Sequence, residues 1–204
     1  MQSRFHALAL MLAASTLPAL AGDTYRIDAT HSEIGFKVRH FLSKTPGRFA
    51  KFQGLIQMDD KDISKSSVEV TIDVATISTD NENRDKHLKS PDFFDVEKFP
   101  TITFKSTAVK EVAKGRLEVT GDFTLRGVTK RITFPITNLG TQASSMGVRA
   151  GFVDGVLKLN RKDFGVLWNK VLDNGGTMLS DEVDITLNIE AVKVVPKPEA
   201  APAK

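Results

Sequence analysis

Apolar and polar residues alternate along most of the chain, and a period of two is typical of β-strands with one buried face and one exposed face. The pattern is clearest where Val183, Ile185 and Leu187 alternate with Asp184 and Thr186. The eight alternating stretches are 33–40, 52–58, 68–74, 101–108, 116–125, 131–137, 148–159 and 183–191, of which the seventh is glycine-rich and blurred. The pattern therefore predicts eight amphipathic strands.

Short turn sequences connect several of these predicted strands. Residues 114–115 separate the fourth strand from the fifth, and residues 126–129 separate the fifth from the sixth. Connections this short join antiparallel neighbours. Eight such strands must close into a barrel or fold over as a sandwich, because an open sheet leaves its apolar face and its edges uncovered. Strands of about 10 residues with short hairpins favour an up-and-down barrel, with a sandwich as the alternative.

Two segments interrupt the alternation. The first, 79–100, contains Asp80 as a predicted N-cap and a polar helix over 81–90, between the third and fourth strands. The second, 160–180, holds Trp168, the only tryptophan of the chain. Long excursions from a compact barrel are often lids or binding loops.

The chain begins with the features of an export signal. Arg4 precedes an apolar stretch over 7–17, and residues 19–21 have the small-x-small form that signal peptidase cleaves. The alternative, a membrane anchor, needs about 20 apolar residues, which is more than this stretch provides. We therefore expect a signal peptide over 1–21, cleaved after Ala21, and an exported product.

The remaining chain is expected to form one barrel domain over 22–195, followed by a disordered tail over 196–204 that is rich in Pro, Ala and Lys. The sequence contains no cysteine, so its stability cannot depend on disulfides. The formal net charge is only +3 for 204 residues. Such a balance argues against a nucleic-acid partner or one held by a strongly anionic membrane surface.

The residues that could carry catalysis are few. No Gly-x-Ser-x-Gly elbow, P-loop or dinucleotide fingerprint occurs in the sequence. His31 and His40 flank the first predicted strand nine residues apart, so they point to opposite faces and cannot converge on one metal ion. We therefore predict no metal site and no enzyme activity. The catalytic alternative pairs His87 or His40 with Asp85 or Asp92 on a bound amphiphile.

Phenylalanine dominates the apolar face of the predicted strands. The chain has 13 phenylalanines but one tyrosine and one tryptophan, so its interior is bulky and poor in hydrogen-bond donors. A pocket with such walls suits a long hydrocarbon. The same residues also suit a filled core, which alternation alone favours. The candidate ligand-binding residues on this face are Ile34, Phe36, Val38, Phe52, Ile56, Met58, Val70, Ile72, Phe104, Val119, Phe123, Phe134 and Ile136.

Several segments, in a fixed order, resemble the YceI-like family of exported bacterial proteins. The segments are DATHSEIGFKVRH at 28–40, GRF at 47–49, FQG at 52–54, NRDKHLKSPDFF at 83–94, FPTITFKS at 99–106, LRGVTK at 125–130 and NRKDFG at 160–165. Each is weak alone, but the ordered set is specific and spans 28 to about 191.

The resemblance implies an all-β fold, an eight-stranded antiparallel lipocalin-like barrel whose apolar interior holds a polyisoprenoid or a quinone-like lipid. It implies a non-catalytic periplasmic binding or carrier protein that has a long-chain apolar ligand as its partner, no cofactor in the strict sense, and no stable membrane insertion. The alternatives are a filled barrel with a structural or stress role and a binder of fatty acids or fatty amides. The sequence is also compatible with a homodimer.

Overall fold

The structure is a computed structural model that describes residues 22–172 and 176–195. The predicted signal peptide and the predicted tail lie outside these residues. Eleven strands form one antiparallel sheet in the described part of the chain. They are β1 (Asp23–Ile27), β2 (Glu33–His40), β3 (Ser43–Phe49), β4 (Phe52–Met58), β5 (Ser67–Asp73), β6 (Ile77–Ser78), β7 (Thr101–Ala113), β8 (Arg116–Leu125), β9 (Val128–Ser144), β10 (Gly147–Asn160) and β11 (Leu179–Lys193).

The sheet closes on itself as a barrel. Its ring runs β1-β4-β5-β7-β8-β9-β10-β11, and β1 pairs back onto β11. The first predicted strand, now β2, lies end to end with β1 along the same edge of β11, and carries β3 and then β6 on its other side. The predicted eight-stranded antiparallel barrel is confirmed, and the sandwich alternative is excluded.

Three strands were not predicted because they are too short to show a clear alternating pattern or lack one. β1 is short, β6 has two residues, and β3 carries Pro46 and Gly47 among polar residues. Proline lacks the N–H that a central strand must donate, so it is confined to strands with a free edge. Most of β3 has a partner on one side only, because β6 reaches no further than Arg48 and Phe49.

Bulges explain where the predicted parity fails. In β10 the register shifts between Phe152 and Gly155, with Asp154 in the left-handed region at φ 56°. Inward residues are even-numbered before this bulge and odd-numbered after it, which accounts for the blurred seventh stretch. In β7 a similar shift leaves Ala108, predicted inside, exposed and buries Val109 instead.

The polar helix is present as α1 (Glu82–Lys89). Its N-cap is Asn81, whose side-chain oxygen accepts a hydrogen bond from the Arg84 backbone N–H at 3.0 Å. Asp80, the predicted N-cap, instead has φ 59° and pairs with Arg48 at 3.0 Å. The helix buries no residue completely, so its position depends on its caps and its flanking segments.

A polar network fills the gap between β1 and β2. The Ser32 hydroxyl donates to the Glu190 carbonyl at 3.1 Å and accepts from the Glu190 N–H at 2.9 Å, so it replaces a missing strand partner. Asp28 accepts from Arg149 at 2.9 Å and lies 2.8 Å from the His31 ring nitrogen. Arg149 also pairs with Glu190. The network ties this joint to β10 and β11.

Asp28, His31 and Glu190 lie close enough together to serve as metal ligands. The Arg149 guanidinium, however, already lies against both carboxylates, and it supplies the positive charge that a metal ion would bring. We therefore interpret this cluster as a structural ion-pair network.

A glycine in β8 makes room for an aromatic ring. A methyl group at Gly121 would lie 2.5 Å from both the Lys105 carbonyl oxygen and the Phe104 ring. We expect Gly121→Ala to lower the free energy of unfolding by about 1–3 kcal/mol through overpacking. Gly151→Ala is the matched control, because its methyl would approach nothing closer than 3.4 Å. Urea denaturation measures both variants, and equal losses would contradict the proposed crowding.

The hydrogen bonds from His31 and Arg149 hold the pKa of Asp28 well below its ordinary value of 3.8. A lowered folded-state pKa gives stability that is present above the unfolded pKa and lost as the pH falls through the folded pKa. Asp28→Asn should therefore cost about 1–3 kcal/mol at neutral pH. The deficit should shrink as the pH falls below about 4. A deficit that is the same at pH 7 and pH 3 in urea titrations would contradict this assignment.

Candidate functional site

The barrel is hollow. Its interior contains a cavity of about 570 Å³, within the range of small-ligand pockets. Apolar side chains from nearly every strand of the ring line it, and on β11 the lining runs from Leu179 to Ile189, roughly 30 Å along the strand. The filled core that alternation alone favours is not what forms.

The structure places most of the predicted wall residues on this cavity. Those that line it are Ile34, Phe36, Val38, Ile56, Met58, Val70, Ile72, Phe104, Val119, Phe123, Phe134 and Ile136. Phe52 does not line it. Phe52 has inward parity, but its ring is buried in a core cluster together with Ile72 and Ile102, so it packs as core.

The two ends of the barrel differ. We call the end that carries α1 and residues 165–172 and 176–178 the loop end, and the end that carries the β9–β10 turn the far end. Each end has its own buried cluster: Leu125 and Phe164 belong to the loop-end cluster, and Phe152 to the far-end cluster. The cavity touches members of both clusters.

A self-bonded turn covers the far end. The buried Asp59 carboxylate accepts backbone N–H groups from Lys61 at 2.9 Å and Asp62 at 3.0 Å, and the Asp59 N–H donates to the Ser66 hydroxyl at 3.0 Å. These bonds fold the segment so that Ile63 packs on the far-end cluster and contacts the cavity. The hydrogen bonds within this turn indicate a fixed cover.

The loop end has a polar lining. Thr79, Asn83, Arg84 and His87 from the first excursion contact the cavity there. Arg84 donates to both the hydroxyl and the carbonyl of Thr79 at 2.7 Å. At the far end the polar lining is limited to Ser66 and Ser67, so the charged and ring donors of the cavity are concentrated at the loop end.

Aromatic contacts join the two excursions at the loop end. The Trp168 ring lies 5.1 Å from the His87 ring, edge to face, and 5.1 Å from the Phe93 ring. His87 Nε2 also lies 2.9 Å from an Asp92 carboxylate oxygen. The rings of both excursions thus form part of the cavity lining, to which His87, Phe93 and Trp168 all contribute.

Arg161 organises the second excursion from inside. It is 6% exposed, and its guanidinium donates to the carbonyls of Ser180 at 2.9 Å, Val166 at 2.8 Å and Trp168 at 2.7 Å. Its Nη2 lies 3.3 Å from an Asp181 carboxylate oxygen. One buried cation thereby fixes the backbone on both sides of Trp168.

The histidine and aspartate side chains of the catalytic alternative are only partly brought together. His87 and Asp92 do come together, but Asp85 is engaged by the N–H and the hydroxyl of Thr79. His40 lines the cavity, and its ring lies 4.7 Å from the Phe41 ring. Residues of both excursions line the cavity.

The sequence identified the walls of the cavity and pointed to the segments 79–100 and 160–180 as lids or binding loops, but it did not identify the individual residues of the loop end. Thr79, Asn83, Arg84 and Trp168 were not predicted to share a site, because they meet only through contacts between distant segments. The concentration of polar residues in 79–90 was the available signal. Among the described residues, no helix is long and apolar enough to span a membrane.

The chain belongs to the YceI-like family. The family's YceI-like domain profile matches residues 25–191. A UPF0312 protein of Vibrio parahaemolyticus is 41% identical over 181 residues, covering 87% of this chain and 90% of that relative. The crystal structure of Burkholderia cenocepacia BcnA superposes with a TM-score of 0.73 at 26% identity, covering 81% of this chain and 99% of BcnA.

A more distant structure shares the fold. It is described as a polyisoprenoid binding domain from Saccharophagus degradans implicated in plant cell wall breakdown. It has a TM-score of 0.61 and 16% identity, covering 83% of this chain and 98% of that domain. The family and fold that the sequence motifs suggest are thus confirmed.

Removing the Arg161 guanidinium should release the loop around Trp168. We expect Arg161→Met to lower the free energy of unfolding by at least about 2 kcal/mol, because buried carbonyls lose their donors. Hydrogen exchange over 165–172 should also accelerate. The control is Lys162→Met, which removes an exposed cation that pairs with the same Asp181. Unchanged exchange in the Arg161 variant would show that the loop is held by other contacts.

Proposed function

We propose that this protein is a non-catalytic carrier that holds one long-chain lipid, a polyisoprenoid or a lipid with a similar tail, inside the barrel. The observation that carries the proposal is the hollow, phenylalanine-rich interior with one polar end. Each methylene transferred from water to such a cavity gains ~0.8 kcal/mol, so burial alone can hold a long tail.

The asymmetry of the cavity gives the ligand a direction. The tail lies between the barrel walls toward the far-end cluster, and the polar head lies among Thr79, Asn83, Arg84 and His87. The description of the Saccharophagus degradans domain as polyisoprenoid-binding supports this class of ligand. Fatty acids and fatty amides have the same division into tail and head, and the experiment below distinguishes them.

The proposal includes the predicted location. Export through the signal over 1–21 would place the carrier in the periplasm, where lipids cannot cross the aqueous space unaided. A chain without cysteine is well suited to that oxidising compartment.

Organic extraction of the protein purified from its native host should release about one lipid per chain. Mass spectrometry then reports whether its tail is isoprenoid or acyl. Trp168, the only tryptophan, contacts the cavity, so its emission should shift when the extracted protein is refilled with a prenyl alcohol. Protein that carries no lipid and gives no Trp168 response to prenyl or acyl chains would overturn the proposal.

Obstruction of the cavity should exclude the ligand. Leu187 lines the cavity and Asn188 points outward, so Leu187→Trp and Asn188→Trp place the same side chain on opposite faces of β11. The inward tryptophan should lower lipid affinity by more than tenfold, since a few displaced methylenes at ~0.8 kcal/mol each suffice. The outward variant should retain full occupancy in the extraction assay. Circular dichroism verifies that both variants fold.

A further inference from the structure

Among the described residues, four exposed apolar side chains lie on two segments of the loop end, the β2–β3 hairpin and the second excursion. Leu42 is fully exposed at the tip of the β2–β3 hairpin, beside Phe41. Leu167 and Val171 are 64% and 72% exposed in the second excursion. Scattered exposed apolar residues are ordinary, but a contiguous group of them marks an interaction surface.

Backbone hydrogen bonds bring the tip of the β2–β3 hairpin beside the second excursion. The Phe41 N–H donates to the Met178 carbonyl at 3.0 Å, and the Met178 N–H donates to the Lys170 carbonyl at 2.9 Å. Val171 bridges to Thr177 on the same ribbon. The hairpin tip and the second excursion therefore lie side by side, and we call the set Phe41, Leu42, Leu167 and Val171 the apolar rim.

The apolar rim adjoins the cavity. Thr45 lies on the β2–β3 hairpin, and Trp168 and Met178 lie in the second excursion, and all three line the cavity from the same segments that expose the rim. A surface that contacts the rim thus lies beside the loop end of the cavity.

Cations accompany the apolar rim. Arg39, Lys44 and Lys170 are exposed on the same two segments. Lys44 pairs with Asp184, and the Arg39 guanidinium lies 2.9 Å from the Phe41 carbonyl. Apolar tips flanked by cations match an interface of acyl chains and anionic phosphates. This local pattern is separate from the overall charge, which is nearly balanced.

We infer that the apolar rim docks the loop end of the barrel onto a lipid bilayer that contains anionic phospholipid. The inference rests on the proposed function for its purpose, because a long-chain lipid is scarcely soluble in water and must be taken up from, or delivered to, a lipid phase. Docking removes the aqueous gap between that phase and the polar end of the cavity. Only side chains enter the bilayer, so the contact is peripheral and reversible.

Flotation with vesicles tests the docking directly. The purified protein should float with vesicles of phosphatidylcholine and phosphatidylglycerol, and more weakly with phosphatidylcholine alone. The double variant Leu42→Ser/Leu167→Ser should bind at least about tenfold more weakly, since it removes two leucines worth ~1.5–3 kcal/mol each when buried. Lys170→Glu should weaken binding to the anionic vesicles, and added salt should reduce this difference.

The far end offers a matched control. Leu139 and Met146 are 65% and 72% exposed on β9 and the β9–β10 turn. Leu139→Ser/Met146→Ser therefore removes two apolar residues that are also largely exposed but lie away from the loop end, and it should leave vesicle binding unchanged. Equal losses in the two double variants, or no loss in the rim variant, would overturn the docking surface.

Two further results separate this inference from the proposed function. If the wild-type protein fails to float but releases a stoichiometric lipid on extraction, the docking is wrong and the carrier function stands. If it floats through the rim but holds no lipid, the carrier function is wrong. Sedimentation that shows a dimer abolished by Leu42→Ser/Leu167→Ser, without vesicle binding, would assign the rim to a second copy of the chain and overturn the inference.

Discussion

Closure of the sheet along β11 is the constraint on which the rest of the structure depends. β11 is longer than either strand that covers its second edge, so β1 and β2 share that edge and leave a gap between them. Ser32 supplies the missing backbone partners in the gap, and the ion pairs of Arg149 hold it to β10 and β11. Once the ring is closed, every inward side chain faces one common volume, and the number of strands sets its width. The cavity is therefore a product of the ring closure.

The sequence predicts the ring well because alternation is a local property. Stretches such as 68–74 and 183–191 show it without interruption, and both form strands in the ring. β3 is not predicted from alternation because an edge strand with Pro46 needs no apolar face. The bulge near Asp154 is not predicted because aspartate, although enriched in the left-handed region, adopts other conformations far more often, so its presence in a strand does not locate a bulge.

The hollow interior lies beyond what alternation can predict, because a packed barrel and an empty one have the same period. The resemblance to the YceI-like family favours a hollow barrel, and the structure contains the cavity. The polar end of the cavity is harder still. Arg161 holds carbonyls up to 19 residues away, and Trp168 meets His87 across 81 positions of the chain, so neither contact leaves a short-range pattern. Phe52 was predicted to line the cavity because its side chain has inward parity. It packs in the core cluster instead, so inward parity does not guarantee contact with the cavity.

The turn that covers the far end has a consequence for selectivity. Under the proposed carrier function, a tube closed at one end by this floor would act as a ruler, because the terminal methyl of the tail would stop at the cluster around Ile63. A tail shorter than the tube leaves empty volume beside the floor, and a longer one pushes its head out beyond Arg84. Under the proposed function, the length of the lipid tail, rather than the chemistry of its head group, is then the main property that determines which lipid binds. Related barrels with different residues around this floor would sort lipids by the number of their repeating units.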